Sequence, residues 1–304
     1  MLTGMQIAFI GGDARQLEVI RRLTELDATV TLIGFDNLQP SFAGVAHAEM
    51  TEDVLSEMDA VLLPAVGTDD YGKVDGVFTS KELYLTDAHL AQLPKHAVIY
   101  TGMAKPYLKQ LCSHRNIGLV ELFERDDVAI YNSIPTAEGA LLLAIQHTDI
   151  TIHGSVCVVL GFGRTGMTMA RVLKSLGADV RVGVRRTEHM ARAYEMGFKP
   201  FDTSELLKHT GNADIVFNTI PSLILTAQVI AGMQPRTLII DLASKPGGTD
   251  FRFAERRGIK AILAPSLPGI FAPKTAGQII AAAVSQLLLE QYAKRGNRHE
   301  LERN

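Results

Sequence analysis

The stretch from Ser155 to Thr187 constrains the fold more than any other part of this 304-residue chain. An apolar run, Ser155–Leu160, leads into Gly161-Phe162-Gly163-Arg164-Thr165-Gly166, and a helical pattern follows from about Thr165 to Leu176. A strand that ends in G-x-G-x-x-G and opens a helix is the signature of a dinucleotide-binding turn. The first glycine permits the tight bend, the second lets backbone N–H groups approach a pyrophosphate, and the third allows close helix–strand packing. The helix N-terminus adds partial positive charge. The next strand ends in Val184-Arg185-Arg186-Thr187, where a site for an unphosphorylated ribose carries an acid. Two guanidinium forks and a hydroxyl suit a 2′-phosphate instead. The expected cofactor is NADP(H).

Short β-branched runs alternate with helical patterns along the rest of the chain, which predicts parallel α/β architecture. Strands are expected at Gln6–Ile10, Thr29–Ile33, Ala60–Leu63, Ala97–Tyr100 and Gly118–Leu122, and a helix at Arg15–Leu26. The pattern restarts with strands at Ser155–Leu160, Asp179–Val184, Ile215–Asn218, Thr237–Asp241 and Lys260–Leu263, separated by helices near Thr165–Leu176, Glu188–Met196 and Phe251–Arg257. The strand runs are almost wholly apolar, as strands covered on both faces require. The predicted fold class is therefore α/β, with two Rossmann-type parallel-sheet domains separated by a cleft and joined by crossing helices. The expected boundaries are 1–132 for the first domain, 133–150 for a linking helix with Pro135 in its first turn, and 151–274 for the NADP-binding domain. A C-terminal helix, 275–294, is expected to return to the first domain, with a charged, frayed tail beyond it.

Open α/β sheets bind ligands at the carboxyl ends of their strands. On that rule the cofactor set comprises Gly161, Phe162, Gly163, Arg164, Thr165, Gly166, Arg185, Arg186 and Thr187, joined by Asn218, Thr219, Ile220, Pro221, Ala243, Ser244, Leu267 and Pro268 from later strand ends. The segment Pro265–Thr275 is too rich in Pro and Gly for regular structure to be expected. In the first domain the same rule selects Gly12, Arg15, Gly67, Thr68, Gly102 and Lys105, with Asn132, Ser133 and Thr136 from the linking segment, as a substrate site. Arg15, Lys105 and Lys274 suit carboxylates by charge-assisted hydrogen bonds. Glu138 and Asp13 are candidate bases, although either also suits a helix N-terminus.

Composition narrows the field. The formal net charge is -3, which gives no basis for nucleic acid or an anionic membrane as a partner. Cys112 and Cys157 make neither a disulfide framework nor a metal-ligand spacing, so no metal is expected and both read as free thiols. The first ten residues lack the basic and apolar regions of a signal peptide, and Ile279–Leu289 is too short to span a bilayer, so a cytoplasmic protein is expected.

Three segments taken in order carry a narrower resemblance. They are Ile10–Gln16, Tyr131–Gly139 with its Asn-Ser-Ile-Pro-Thr-Ala-Glu-Gly run, and Leu267-Pro268-Gly269 followed by Ala272–Gly277. Together they resemble the dipicolinate synthase A-subunit family, within the broader two-domain group of D-2-hydroxyacid dehydrogenases and adenosylhomocysteinase. The resemblance spans roughly residues 5–290. It implies NADP-linked oxidation of dihydrodipicolinate, or its hydrated precursor, in the mother cell of a spore-former, in partnership with a flavoprotein-like B-subunit. A homo-oligomer is also expected. Two alternatives stand beside it: another NADP-dependent dehydrogenase of a small carboxylate, and a nucleotide-binding scaffold or regulatory subunit. The hydroxyacid dehydrogenases place a His–carboxylate pair near the third segment, and here Pro268-Gly269 stand instead.

Overall fold

The computed structural model describes residues 1–39 and 42–301, with side chains described through residue 293. It divides into two compact units, Met1–Val128 with Pro273–Asn304, and Ala129–Ala272. The first begins β1 (Gln6–Ile10), α1 (Ala14–Glu25), β2 (Thr29–Ile33), β3 (Val45–Ala48) and β4 (Ala60–Leu62). A small antiparallel pair follows, β5 (Lys73–Val74) and β6 (Leu83–Tyr84), then α2 (Asp87–Gln92), β7 (Val98–Thr101), α3 (Pro106–Arg115) and β8 (Gly118–Glu121). Helix α4 (Asp126–His147) starts at the end of this unit and runs through the second.

The second unit contains β9 (Val156–Leu160), α5 (Arg164–Ser175), β10 (Asp179–Val184), α6 (Thr187–Glu195), β11 (Lys199–Asp202), α7 (Leu206–Thr210) and β12 (Ile215–Asn218). It ends with α8 (Ala227–Ala231), β13 (Leu238–Asp241), α9 (Phe251–Arg256), β14 (Lys260–Leu263) and α10 (Leu267–Phe271). Helix α11 (Pro273–Leu301) belongs to the first unit, and Gly277 lets it approach the α1 backbone: a Cβ there would lie 2.5 Å from the Arg15 carbonyl.

Each unit has a six-stranded parallel sheet of the same order, β3-β2-β1-β4-β7-β8 in the first and β11-β10-β9-β12-β13-β14 in the second. In β1, Ile7 and Phe9 enter the core on the α1/α11 side with Ile20 and Val284, whereas Ala8 and Ile10 face Ile99 and Leu108. In β9, Cys157 and Val159 pack with Met169 and Leu173, and Val158 and Leu160 with Val216 and Ile239. Period-two alternation between two apolar faces explains why these strands carry almost no polar residues.

The structure differs from expectation at several points. Helix α4 begins at Asp126, so Pro135 lies in its interior instead of its first turn. A proline there removes one backbone donor. The Ser133 hydroxyl donates to the Ile130 carbonyl (2.6 Å) and that of Thr136 to the Asn132 carbonyl (2.7 Å), supplying donors on either side of the gap. The Pro/Gly-rich segment is also regular, because Pro268 and Pro273 occupy first turns of α10 and α11, where their missing N–H costs nothing. The charged tail continues α11 to Leu301, and 302–304 lie outside the described residues. Strand β11 escapes the sequence pattern because Pro200 interrupts it; at the sheet edge a proline is tolerated. By length and composition α4 is apolar enough to cross a membrane, yet its Ala137, Ala140 and Ala144 face is fully buried in the second unit's core.

Candidate functional site

The clearest site lies at the carboxyl ends of β9, β10 and β12 in the second unit. Gly161 turns the chain with φ +92°, a conformation costly for a residue with a Cβ. A Cβ on Gly166 would collide with the Gly161 carbonyl oxygen, so only glycine lets α5 start this close to β9. Gly163 is the N-cap of α5 and contributes no side-chain cap, leaving first-turn N–H groups available to an anion. A Cβ built on Gly163 meets nothing within 4 Å, so open space stands before the helix terminus.

This turn forms one wall of a groove of about 510 Å³. Gly161–Thr165, Arg185, Arg186 and Thr219–Pro221 all line it, as do five residues outside the expected set: Val184, His189, Thr203, Ser222 and Ile224. His189 is carried in by the first turn of α6, and Thr203 follows β11. The place of Thr203 depends on strand pairing between β10 and β11, which no local pattern announces. Arg186 donates from Nε to Glu188 Oε1 at 2.6 Å and also pairs through its terminal nitrogen. Glu188's own backbone N–H and the Arg186 guanidinium hold its carboxyl below the ordinary value. Arg185 is exposed and makes no ion pair among the described residues, so its guanidinium can turn to an incoming anion.

Other expected cofactor residues shape the groove without lining it. Gly166 is buried under the turn, and Thr187 begins α6 just past the paired arginines. Asn218 is fully buried; it accepts from Ile220 N–H at 3.0 Å and donates to the Ile220 carbonyl and to Asp241. Asp241, equally buried, accepts from Asn218 (3.0 Å), Ala243 N–H (3.1 Å), Gly248 N–H (2.8 Å) and the Thr249 hydroxyl (2.6 Å). Full pairing of this kind is what makes a buried carboxylate tolerable. Ala243 is buried and Ser244 exposed on the loop that Asp241 organises; Leu267 is core, and Pro268 sits beside it at the start of α10.

In the first unit, the strand-end loops of β4 and β7 are stitched together: Gly67 N–H donates to the Met103 carbonyl, and Met103 N–H to that of Ala65. Gly67, Thr68 and Gly102 are thereby gathered into one buried region, closed by the Thr101 hydroxyl donating to the Pro64 carbonyl at 2.7 Å. Lys105 stands half-exposed at the head of α3, with Asp70 at 3.6 Å, a weak surface pairing. Lys274, in the first turn of α11, is exposed and makes no ion pair among the described residues.

Gly12, Asp13 and Arg15 do not present the free groups that their sequence position suggested. Gly12 N–H donates to the Asp75 carbonyl. Asp13 caps α1 by accepting from Arg15 N–H (2.9 Å), and the Arg15 guanidinium closes back on the same carboxylate at 2.6 Å. Burial pushes the Asp13 carboxyl up, but the hydrogen bonds and charge of Arg15 outweigh it and leave it below its ordinary value. In the second unit Ser133 is buried against α5, with its hydroxyl 2.7 Å from that of Thr168, and Glu138 is exposed on α4. The Asn132 Oδ1 atom is buried without a partner among the described residues. A His–carboxylate pair does exist, His96 with Asp59 at 2.8 Å, but it precedes β7 and β4, at the opposite end of the strands from the ligand-binding loops. Among the described residues no group of three or more His, Cys, Asp or Glu is arranged to hold a metal.

Comparison with known proteins fits this division. Residues 6–123 match the family model for the N-terminal domain of the dipicolinate synthase A-subunit, and residues 151–237 match the NADPH-binding domain of acetohydroxy acid isomeroreductase. The chain is 54% identical to the dipicolinate synthase A-subunit of Bacillus subtilis (strain 168), over 97% of its own length and 100% of the relative. The crystal structure of that Bacillus subtilis protein superposes with a TM-score of 0.93 at 54% identity, covering 97% of this chain and 99% of the other. The crystal structure of the Bacillus halodurans counterpart gives 0.92 at 52% identity, over 95% and 99%. With both halves of the chain accounted for in one relative of equal span, the protein belongs to the dipicolinate synthase A-subunit family.

Proposed function

We propose that this chain is an NADP-linked oxidoreductase that converts dihydrodipicolinate, or its hydrated precursor, to dipicolinate during sporulation, acting with a B-subunit. The observation that carries the reading is the 54% identity, over 97% of the chain, to a protein named for that synthesis. The groove supports the cofactor half independently. The open α5 terminus and glycine turn fit a pyrophosphate, and Arg185 fits a 2′-phosphate, with Arg186 and His189 beside it. Bound NADP+ supplies a hydride acceptor.

The chain's own part is to orient the substrate and to take up the proton released as the ring becomes aromatic. Lys105 and Lys274 are assigned to the two carboxylates, with the Gly67, Thr68 and Gly102 region against the ring. Arg15, spent on Asp13, holds the turn instead of substrate. Glu138 is assigned as proton acceptor, because Asp13 is already an ion-paired cap with a depressed affinity for protons.

The test is an assay of the chain with its partner B-subunit, NADP+ and the dihydro substrate, following NADPH and the pyridine product together. Absence of the pyridine product overturns the reading. The mutual pairing of Asp13 and Arg15 favours one rival, a nucleotide-binding scaffold whose partner does the chemistry. Loss of turnover in Lys274→Ala or Glu138→Gln, with NADP+ binding retained, excludes that rival.

A further inference from the structure

The two sheets have one strand order, so their glycine turns compare position by position. Gly11 N–H donates to the Ile33 carbonyl and Gly161 N–H to the Gly183 carbonyl, both at 2.9 Å, which sets Gly11 against Gly161. Gly12 then matches Phe162, and Asp13 matches Gly163, each being the N-cap of the helix that follows. Counting on from the aligned strand residues, Asp36 matches Arg186. Any dinucleotide held by the first unit in the usual manner would cross Gly12 and the α1 terminus with its pyrophosphate and reach Asp36 with its ribose.

The pyrophosphate part of that path is already filled by the chain itself, while a cavity of about 310 Å³ remains beside Phe35 and Asp36. The Gly12 N–H is taken by the Asp75 carbonyl at 2.8 Å, and Val77 N–H returns a bond to the Gly12 carbonyl at 2.9 Å. The α1 terminus is taken as well: Asp13 accepts from the Arg15 N–H and holds the Arg15 guanidinium on the same carboxylate. Farther along, Phe78 stacks on Phe35 at 5.7 Å between ring centroids, and the Phe78 carbonyl accepts from Asn37 N–H at 2.8 Å. The Thr79 hydroxyl beside Asp36 holds its carboxylate below its usual range. The Phe162 N–H of the second unit, by contrast, has no backbone acceptor among the described residues, and Gly163 puts nothing in front of α5.

We propose that the segment Asp75–Thr79 is a built-in occupant of the first unit's nucleotide groove and that, together with Asp13, it limits each chain to one dinucleotide. The stoichiometry rests on the NADP reading of the second unit; the occupied groove does not. The first unit is thereby left to ligands too small to need that groove.

The experiment is calorimetric titration of the full chain with NADP+, on wild type and on Gly163→Asp, which copies the first unit's cap into the second. The variant should fold: the Gly163 backbone is extended at φ -85°, its Cβ position is open, and Asp is a favoured N-cap. The expected result is one site in wild type, and affinity lower by at least about tenfold in the variant because a carboxylate then faces the pyrophosphate. Two sites in wild type, or one undiminished site in Gly163→Asp, overturn the proposal. Hydrogen exchange of the Gly12 and Val77 amides in the free chain reads the plug directly. Slow exchange, unchanged by NADP+, supports it, and fast exchange overturns it. Should wild type bind no NADP+, the nucleotide reading fails while the amide result still judges the plug.

Discussion

Arg185 and Arg186 are neighbours in sequence but not equals in the structure. Arg186 is already satisfied by Glu188, whereas Arg185 has its fork available. Arg185→Ala should therefore weaken NADP+ binding about 10- to 100-fold, the range for losing a charge-assisted hydrogen bond, and leave NAD+ nearly unchanged. Dissociation constants for both nucleotides check this; equal loss for both would mean that Arg185 acts on something other than the 2′-phosphate. The thiols allow a second prediction. Burial pushes Cys112 up to about 11, and burial pushes Cys157 to about 11 against an opposing hydrogen bond from Ser155. The folded chain thus keeps protons that an unfolded thiol releases near about pH 8.5. This contribution to stability is full below that pH and is lost as the pH rises towards about 11. Alkylation at pH 8 should be slow in the native protein and fast in denaturant; prompt labelling of the native chain would contradict the burial argument.

Among the elements, the β9–turn–α5 unit was legible because everything that defines it is local: an apolar run, three glycines at fixed spacing, a helical period. Gly166 shows how tightly it is built. An added methyl meets the backbone oxygen of Gly161, which cannot rotate away as a side chain would. Gly166→Ala should cost about 1–3 kcal/mol in thermal or denaturant unfolding, the usual range for overpacking, and should weaken nucleotide binding at the same time. A variant with unchanged melting and binding would show that α5 can back away from β9. Helix α4 was legible as a helix but not in extent. Pro135 signals a start, and only the Ser133 and Thr136 hydroxyls beside it explain how the helix runs through. The Pro268 segment misled for a related reason: proline disfavours helix interiors but suits first turns, and sequence alone does not say which position it holds.

For the whole molecule, each unit has its own pair of core clusters around its own sheet. A ligand held by one unit should stabilise that unit first. At 100 times its dissociation constant NADP+ should add about 2.7 kcal/mol, and hydrogen exchange should slow across β9, α5 and β10 while β1, α1 and β2 change little. Equal protection of both sheets would refute a cofactor confined to the second unit.

By itself the sequence determined the alternation of strands and helices, the parallel sheets and the presence of a dinucleotide-type turn, since periodicity and glycine spacing are properties of neighbouring residues. It also placed Gly67, Thr68 and Gly102 at strand ends, where the tertiary fold gathers them. Only the tertiary structure decided which glycine turn is open. The Gly11-Gly12 turn reads as a second ligand-binding loop until Asp75, Phe78 and Thr79 arrive from a distant hairpin and take up its N–H and its acid. Whether a backbone donor is free depends on which remote carbonyl reaches it, and that is settled by packing. The same reason hid Thr203, whose place in the groove follows from the pairing of β10 with β11.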